Sequence, residues 1–179
     1  MPALLVFESM YGSTAAVAQA IAAGMAGVRV TVTVCEVGLA SVPDVTSTPG
    51  LLVVGAPTHQ RGLSTPQTRD VARGEIETAL SPGDGVREWL DGLVGQVAGR
   101  NVAVFDTALK RPLAGSAAST IGKRLTKAGA NLAVPPESFV VSGRSSGLVP
   151  GELERARAWG VGLALFAAVL APGAIRDPG

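Results

Sequence analysis

Three stretches of this sequence are apolar without alternating: Ala3-Leu4-Leu5-Val6-Phe7, Leu51-Leu52-Val53-Val54 and Val102-Ala103-Val104-Phe105. A strand with one wet face alternates apolar and polar residues, so a run that is apolar at every position is covered on both faces, as in the interior of a parallel sheet. Parallel neighbours need crossover connections, and helical patterns fill the intervals here. Between Thr14 and Met25, Val17, Ile21 and Met25 recur at every fourth position among small alanines. Val86, Leu90, Leu93 and Val97 form a second stripe, with Ser81-Pro82-Gly83-Asp84 upstream supplying cap residues and a first-turn proline. A third pattern runs from Ser116 to Ala128, with Ile121 and Leu125 inward and Gly129 as its stop. In the fourth, Leu153, Ala156, Gly160, Leu163, Ala167 and Leu170 follow one another in alternating steps of three and four.

Two further strands complete the sheet. Val28, Val30, Val32 and Val34 alternate with Arg29, Thr31 and Thr33, which predicts a strand near a sheet edge with one wetter face. Within Asn131 to Val141, Pro135-Pro136 cannot donate to a ladder, so a fifth strand there is an edge or is interrupted. The connection from Thr58 to Leu80 is too long for a simple loop and predicts a short helix plus a functional loop. Right-handed crossovers then give a small doubly wound α/β domain with helices on both faces.

A length of 179 residues, 47% of them hydrophobic and 16% charged, suits one packed core, and we expect a single domain over 1–172 with a short tail at 173–179. The formal charge of +1 offers no field for nucleic acid or an anionic membrane, and no basic cluster supports nucleic-acid binding. Cys35 stands alone, so no internal disulfide and no zinc-binding spacing is expected, and the thiol reads as inert and buried or half-buried. The chain runs from Met1 straight into its first strand with no basic leader, and its longest apolar stretch, Ala158 to Ala171, is shorter than the roughly 20 residues a membrane span requires. The expectation is a cytoplasmic, metal-independent protein without a membrane span. Its last helix packs on the core and leaves an apolar surface that could serve a homodimer.

The first strand ends at Phe7 and the first helix begins near Thr14, which leaves Glu8 to Ser13 as a turn at the carboxyl edge of the sheet. Ligands of open α/β sheets bind at that edge, and the unpaired N–H groups of a helix start favour an anion there. Ser9, Ser13 and Thr14 add hydroxyls, and Gly12 permits close backbone approach. The lysine of a nucleoside-triphosphate loop and the glycine triplet of a dinucleotide fingerprint are both missing, so a monophosphate held by neutral donors fits, as does an ordinary helix cap.

Leu5-Val6-Phe7-Glu8-Ser9-Met10-Tyr11-Gly12-Ser13-Thr14 resembles the phosphate-binding signature of flavodoxins. The resemblance implies a flavodoxin-like three-layer sandwich with a five-stranded parallel sheet of order 2-1-3-4-5, and flavin mononucleotide, FMN, as cofactor. By it, Ser9, Met10, Tyr11, Gly12, Ser13 and Thr14 would hold the phosphate. Val53-Val54-Gly55-Ala56-Pro57-Thr58-His59 is similar to the strand and loop on one side of the flavin ring, which brings in Pro57, Thr58 and His59. Phe105-Asp106-Thr107-Ala108-Leu109 takes the place of the loop on the other side, with Asp106, Thr107 and Leu109 as candidates. The helix start from Gly151 to Gly160 also looks like this family.

The sequence departs from that family in two respects. Neither ring-flanking loop carries Trp or Tyr, since Trp89 and Trp159 fall inside helical patterns, and each lost stacking contact weakens binding by about 0.5 to 1.5 kcal/mol. Flavodoxins are also acidic, whereas Arg61, Arg69, Lys110 and Arg111 lie in or beside the ligand loops. Cations at the ring edge would favour two-electron over one-electron chemistry, and the alternative is that they are solvated surface charges. The expected function is FMN-based electron transfer or oxidoreduction with a redox protein or a small-molecule acceptor, and no side chain acts as a catalytic group. The alternatives are a flavin-dependent quinone or protoporphyrinogen-type oxidoreductase, and a flavodoxin-fold interaction module without tight FMN binding.

Overall fold

The computed structural model describes residues 2–47, 50–59, 62–75, 81, 83–110, 115–143 and 145–169. The chain-order elements are β1 (Pro2–Phe7), α1 (Ser13–Ala26), β2 (Thr31–Glu36), α2 (Val42–Ser47), β3 (Leu51–Pro57), α3 (Pro66–Glu75), α4 (Val86–Gly92), β4 (Asn101–Leu109), α5 (Ala117–Lys127), β5 (Asn131–Leu132), β6 (Glu137–Val141) and α6 (Glu152–Val169). The strands form one parallel sheet in the order β2-β1-β3-β4-β5, with β6 also paired to β4. This is the expected 2-1-3-4-5 order. The three apolar runs are its central strands, and each strand extends beyond its run, β4 from four residues to nine.

The fifth position is split at the prolines. Asn101 and Val102 pair with Asn131 and Leu132, whereas Phe105 pairs with Glu137, so two residues of β4, at 103 and 104, face four residues, at 133–136. Pro135 and Pro136 fall in that excess, where no ladder hydrogen bond is required of them. The sheet resumes as β6, which continues beside the carboxyl end of β4.

Because every central strand is covered on both sides, its residues sort by parity. Leu4, Val6, Leu52, Val54, Val102 and Val104 face one layer with Trp89, Leu90, Ile121 and Leu125. Ala3, Leu5, Phe7, Leu51, Val53, Ala103 and Phe105 face the other with Val17, Ile21, Met25 and Leu163. On this second side α1 and α6 touch through glycines. A Cβ on Gly24 would lie 2.1 Å from the Arg157 carbonyl oxygen, and one on Gly160 would lie 2.2 Å from that of Ile21.

Four local expectations change. The second strand starts at Thr31, since Val28, Arg29 and Val30 turn back onto the end of α1, where Val28 N and Val30 N donate to the Met25 carbonyl. Arg29 takes a left-handed φ of 66° in that turn. In α6 the inward stripe begins at Ala156, because Leu153 is 43% exposed, and Leu170 lies outside the described residues, as do 173–179. Helix α2 was unannounced. Ser41 N–H donates to the Asp44 carboxylate at 2.8 Å, and Asp44 N–H returns to Ser41 Oγ at 3.4 Å. The fourth change is α4, which ends at Gly92, so Val97 of its expected stripe enters the core from the turn that follows; its cap is described below.

Cys35 packs against the layer opposite its neighbouring valines and is half-buried; burial, then Asp44 and Glu36, pushes its thiol up, which keeps it protonated and unreactive. No helix among the described residues is long and apolar enough to cross a membrane.

Candidate functional site

Register brings three loop starts together. Phe7 pairs with Gly55, Gly55 with Phe105 and Pro57 with Thr107, so the segments that follow β1, β3 and β4 leave the sheet side by side. Between them lies a cavity of about 500 Å³. Of the residues singled out in the sequence, Met10, Tyr11, Ser13, Thr14, Pro57, Thr58, His59, Thr107 and Leu109 line it. Ser9 and Asp106 are fully buried behind the wall, and Gly12 forms the bend at the start of α1 with a left-handed φ of 94°. The remaining wall was missed from the sequence: Thr65, Gln67, Thr68, Val71 and Ala72 from α3 and its cap, and Val141 and Gly143 after β6. Thr65 and Thr68 could have been read as the opening of a helix, but nothing local shows which way that helix turns.

The wall's hydroxyls are mostly spent on the wall itself. Thr14 Oγ1 and Thr107 Oγ1 hydrogen-bond to each other at 2.8 Å. Thr58 Oγ1 donates to Asp106 Oδ2 and accepts from Ala117 N–H, both at 2.9 Å. Thr68 Oγ1 accepts from Thr65 N–H at 2.8 Å and donates to the Thr65 carbonyl at 3.1 Å, and the Tyr11 hydroxyl bonds to the Glu75 carboxylate. Asp106 is therefore an anchor. Its Oδ2 also takes the Ser116 hydroxyl at 2.7 Å and Ala118 N–H at 3.0 Å, which ties the end of β4 to the start of α5 and holds Thr58 against both.

The two helix starts at this edge differ in their donors. At α5, side chains claim each of the first three N–H groups, Thr58 that of Ala117, Asp106 that of Ala118 and Ser116 that of Ser119. At α1, Ser9 Oγ takes Ala15 N–H at 3.2 Å and the Gly12 carbonyl takes Ala16 N–H at 2.9 Å. The N–H groups of Gly12, Ser13 and Thr14 have no hydrogen-bond partner among the described residues, and Gly12 has no side chain to cap them. Unclaimed donors and the positive end of the helix dipole thus coincide at one end of the cavity.

Behind the first loop lies a buried charge cluster that sequence reasoning did not anticipate. Arg69, on the inner face of α3, is 2% exposed; its Nη1 donates to Ser64 Oγ at 2.9 Å and lies 3.1 Å from Glu88 Oε2. Glu8 Oε2 accepts Val86 N–H at 2.9 Å, so Glu8 caps α4 from 78 positions away in the sequence. Glu88 reaches back to Gly85 N–H at 3.0 Å, while Ser81 receives Ser9 N–H instead of capping the helix. Gly85 makes room for the cluster: a Cβ there would lie 2.5 Å from Arg69 Nη1 and 2.6 Å from Glu8 Oε2. Burial tends to raise the Glu88 carboxyl, but hydrogen bonds from Arg69 and the helix start outweigh it and hold the group below its usual range.

Burial pushes the Glu8 carboxyl above the usual carboxylate range, against the pull of Ser64, Val86 N–H and Arg69. A carboxyl whose folded value is raised contributes its stability fully below the unfolded value, and that contribution is lost as pH rises through the folded one. Denaturant titrations of the parent chain from acid to neutral pH should therefore show a fall in stability that Glu8→Gln removes. Parallel curves for the two proteins would show that Glu8 does not carry the effect.

Arg69 thus belongs to the core, so neither reading offered for it, a cation beside the ligand or a solvated surface charge, holds. Arg61 and Arg111 lie outside the described residues. The tryptophans are structural, as their helical settings implied. Trp89 Nε1 donates to the Ala40 carbonyl at 2.8 Å, and Trp159 packs edge-on against Phe105 and Phe139 at 6.3 and 6.2 Å. Among the described residues no cluster of His, Cys, Asp and Glu could hold a metal ion.

No family model matches the chain, and no curated protein matches it by sequence. Solved structures do match in shape. Oxidised flavodoxin 1 from Bacillus cereus superposes with a TM-score of 0.71 at 15% identity, over 92% of this chain and 98% of that one. The flavodoxin, WrbA-like protein from Agrobacterium tumefaciens gives 0.62 at 17%, over 94% and 98%. The flavodiiron protein from Giardia intestinalis gives 0.66 at 19%, over 94% of this chain but 36% of that larger one. At such identities the likeness speaks for architecture, and with the strand order and the loop cluster it shows that the chain has the flavodoxin-like fold.

Proposed function

We propose that the cavity binds flavin mononucleotide, with the phosphate on the Ser9–Thr14 loop and the ring between the Pro57–His59 and Thr107–Leu109 segments, and that the chain is a flavin-dependent redox protein. The observation that carries this reading is the distribution of unclaimed donors. Gly12, Ser13 and Thr14 offer backbone N–H groups at one end of the cavity, while the hydroxyls of Thr58, Thr65, Thr68 and Thr107 are engaged within the protein. A ligand with an anionic head and a flat, neutral body matches that asymmetry. A volume of about 500 Å³ falls within the usual range for small-molecule and cofactor sites. The described lining residues carry no charged side chain, which agrees with a phosphate held by neutral donors and a helix start.

When bound, the flavin supplies the electron chemistry. The protein's own residues bind and orient it. Loop one fixes the head, His59 and Leu109 flank the body, and Asp106 keeps Thr58 in place from behind. Helix α3 excludes water from one side through Val71 and Ala72.

The test is an FMN titration of the parent chain and of Ser13→Asp, followed by flavin fluorescence. An acidic residue in the first turn suits the helix dipole, so the variant keeps the fold while placing a negative charge where the phosphate would sit. Saturable one-to-one binding is expected in the parent, weakened about a hundredfold in the variant by like-charge repulsion at close range. Riboflavin, which lacks the phosphate, should bind weakly to both. Equal affinity of parent and variant for FMN, or of FMN and riboflavin for the parent, would remove the phosphate assignment.

A further inference from the structure

A second cavity, of about 430 Å³, adjoins the first and shares Leu109 and Val141 with it. It lies between the end of β4, the end of β6 and the start of α6. Leu109, Val140, Val141 and Val149 give it an apolar wall, and Lys110 and Glu152 are its two charged residues. Their charges are not equivalent. Glu152 Oε2 accepts Val140 N–H at 2.7 Å and the Arg155 guanidinium at 2.6 Å, and Oε1 accepts Arg155 Nε at 3.1 Å. Arg155 is itself fixed by Glu137, by the Ser138 carbonyl and by stacking 4.4 Å over the Phe139 ring. The acid is therefore held in place by a guanidinium that it shares with Glu137. Lys110 is exposed and makes no ion pair among the described residues, which leaves one available cation beside an apolar wall.

We propose that this second cavity binds a small aromatic acid, its ring against Leu109, Val140 and Val149 and its carboxylate on Lys110. An apolar body gains from the valine wall, and an anion gains from a cation that has no ion pair among the described residues. Because the two cavities share Leu109 and Val141, the occupant lies next to the flat-body end of the first site. Its place there is beside the bound flavin; that placement rests on the flavin reading, whereas the binding does not.

The experiment titrates naphthoate, which is redox-inactive, into the full chain without FMN and follows backbone amide spectra. One-to-one binding is expected, with shifts centred on Leu109, Val140 and Val149. Lys110→Met should weaken it by about fivefold to tenfold and Lys110→Arg should restore most of it, as for a charged hydrogen bond. The uncharged naphthylmethanol should bind more weakly than naphthoate by a similar factor, and added salt should narrow the gap. Ser13→Asp, which disables only the first cavity, should leave naphthoate binding unchanged. No shifts at those three residues, equal affinity in Lys110→Met, or a loss of binding in Ser13→Asp would each overturn the proposal. The FMN titration reports separately on the flavin site, so failure of one reading does not mimic failure of the other.

Discussion

Replacing Gly160 by alanine should destabilise the fold by about 2 to 3 kcal/mol or more, although the same change at a free helical position is stabilising. Alanine outranks glycine in a helix interior by about 1 kcal/mol, because glycine loses more backbone entropy on folding. At Gly160 the new methyl would lie 2.2 Å from the Ile21 carbonyl oxygen and 2.9 Å from its carbon, against backbone that cannot rotate away. Helices α1 and α6 would have to separate, which opens the layer formed by Val17, Ile21, Met25 and Leu163. Overpacking of this kind costs about 1 to 3 kcal/mol even where flexible side chains can yield, so the steric term exceeds the propensity gain. Gly162 supplies the internal control: it lies in the same helix with nothing within 4 Å of its missing Cβ. Gly162→Ala should therefore raise the melting temperature while Gly160→Ala lowers it by roughly 5 to 10 °C. Gly24→Ala makes the reciprocal clash with the Arg157 carbonyl at 2.1 Å. The double variant should cost less than the sum of the singles, because helices already parted accommodate the second methyl more easily. Equal shifts for Gly160→Ala and Gly162→Ala would contradict the close crossing.

That crossing also marks what can be read from the chain and what cannot. The central strands were legible because burial on both faces leaves a purely local trace, an apolar residue at every position. The break between β5 and β6 was legible because proline's missing donor is a property of the residue itself. Gly160 was visible as a small residue on the inward stripe of α6, but its closeness to Ile21 depends on how two helices separated by most of the chain pack together. The caps divide in the same way. Ser116 caps its own helix three residues on, whereas the cap of α4 comes from Glu8, 78 positions away. Of the candidate site, the three loops were legible from strand ends and the hydroxyl-glycine cluster. The α3 wall was not, because Thr68, Val71 and Ala72 face the cavity only once Arg69 is buried behind them. A charged residue in a polar helix reads as surface, and the reason it is not surface here lies on β1 and α4.

Removing that anchor is the second change with a large expected effect. Arg69→Met should cost about 3 to 5 kcal/mol, the usual penalty for deleting one partner of a buried ion pair. The stranded groups are unequal. The Glu88 side chain is 29% exposed and can turn to water, whereas Glu8 is fully buried and keeps only Val86 N–H and the Ser64 hydroxyl. Most of the penalty should therefore arise from Glu8, and Glu8→Gln in the Arg69→Met background should recover more stability than Glu88→Gln. The pH dependence follows with a definite sign. Arg69 pulls the Glu8 carboxyl down against burial, so its loss lets that carboxyl rise further above the usual range. A protonated Glu8 needs no cation, hence the deficit of Arg69→Met relative to the parent should be small in acid and grow as pH rises through the raised value. Denaturant midpoints of the parent, both single variants and the double variant across that range would separate this account from simple loss of packing, which predicts a deficit independent of pH. The wall should respond as well. With Arg69 gone, α3 keeps the bond from Tyr11 to Glu75 but loses its attachment to Glu88 and Ser64, so FMN affinity should fall even at acid pH where the fold is intact. An affinity unchanged under those conditions would mean that α3 is held over the cavity by its own packing and that Arg69 serves stability alone.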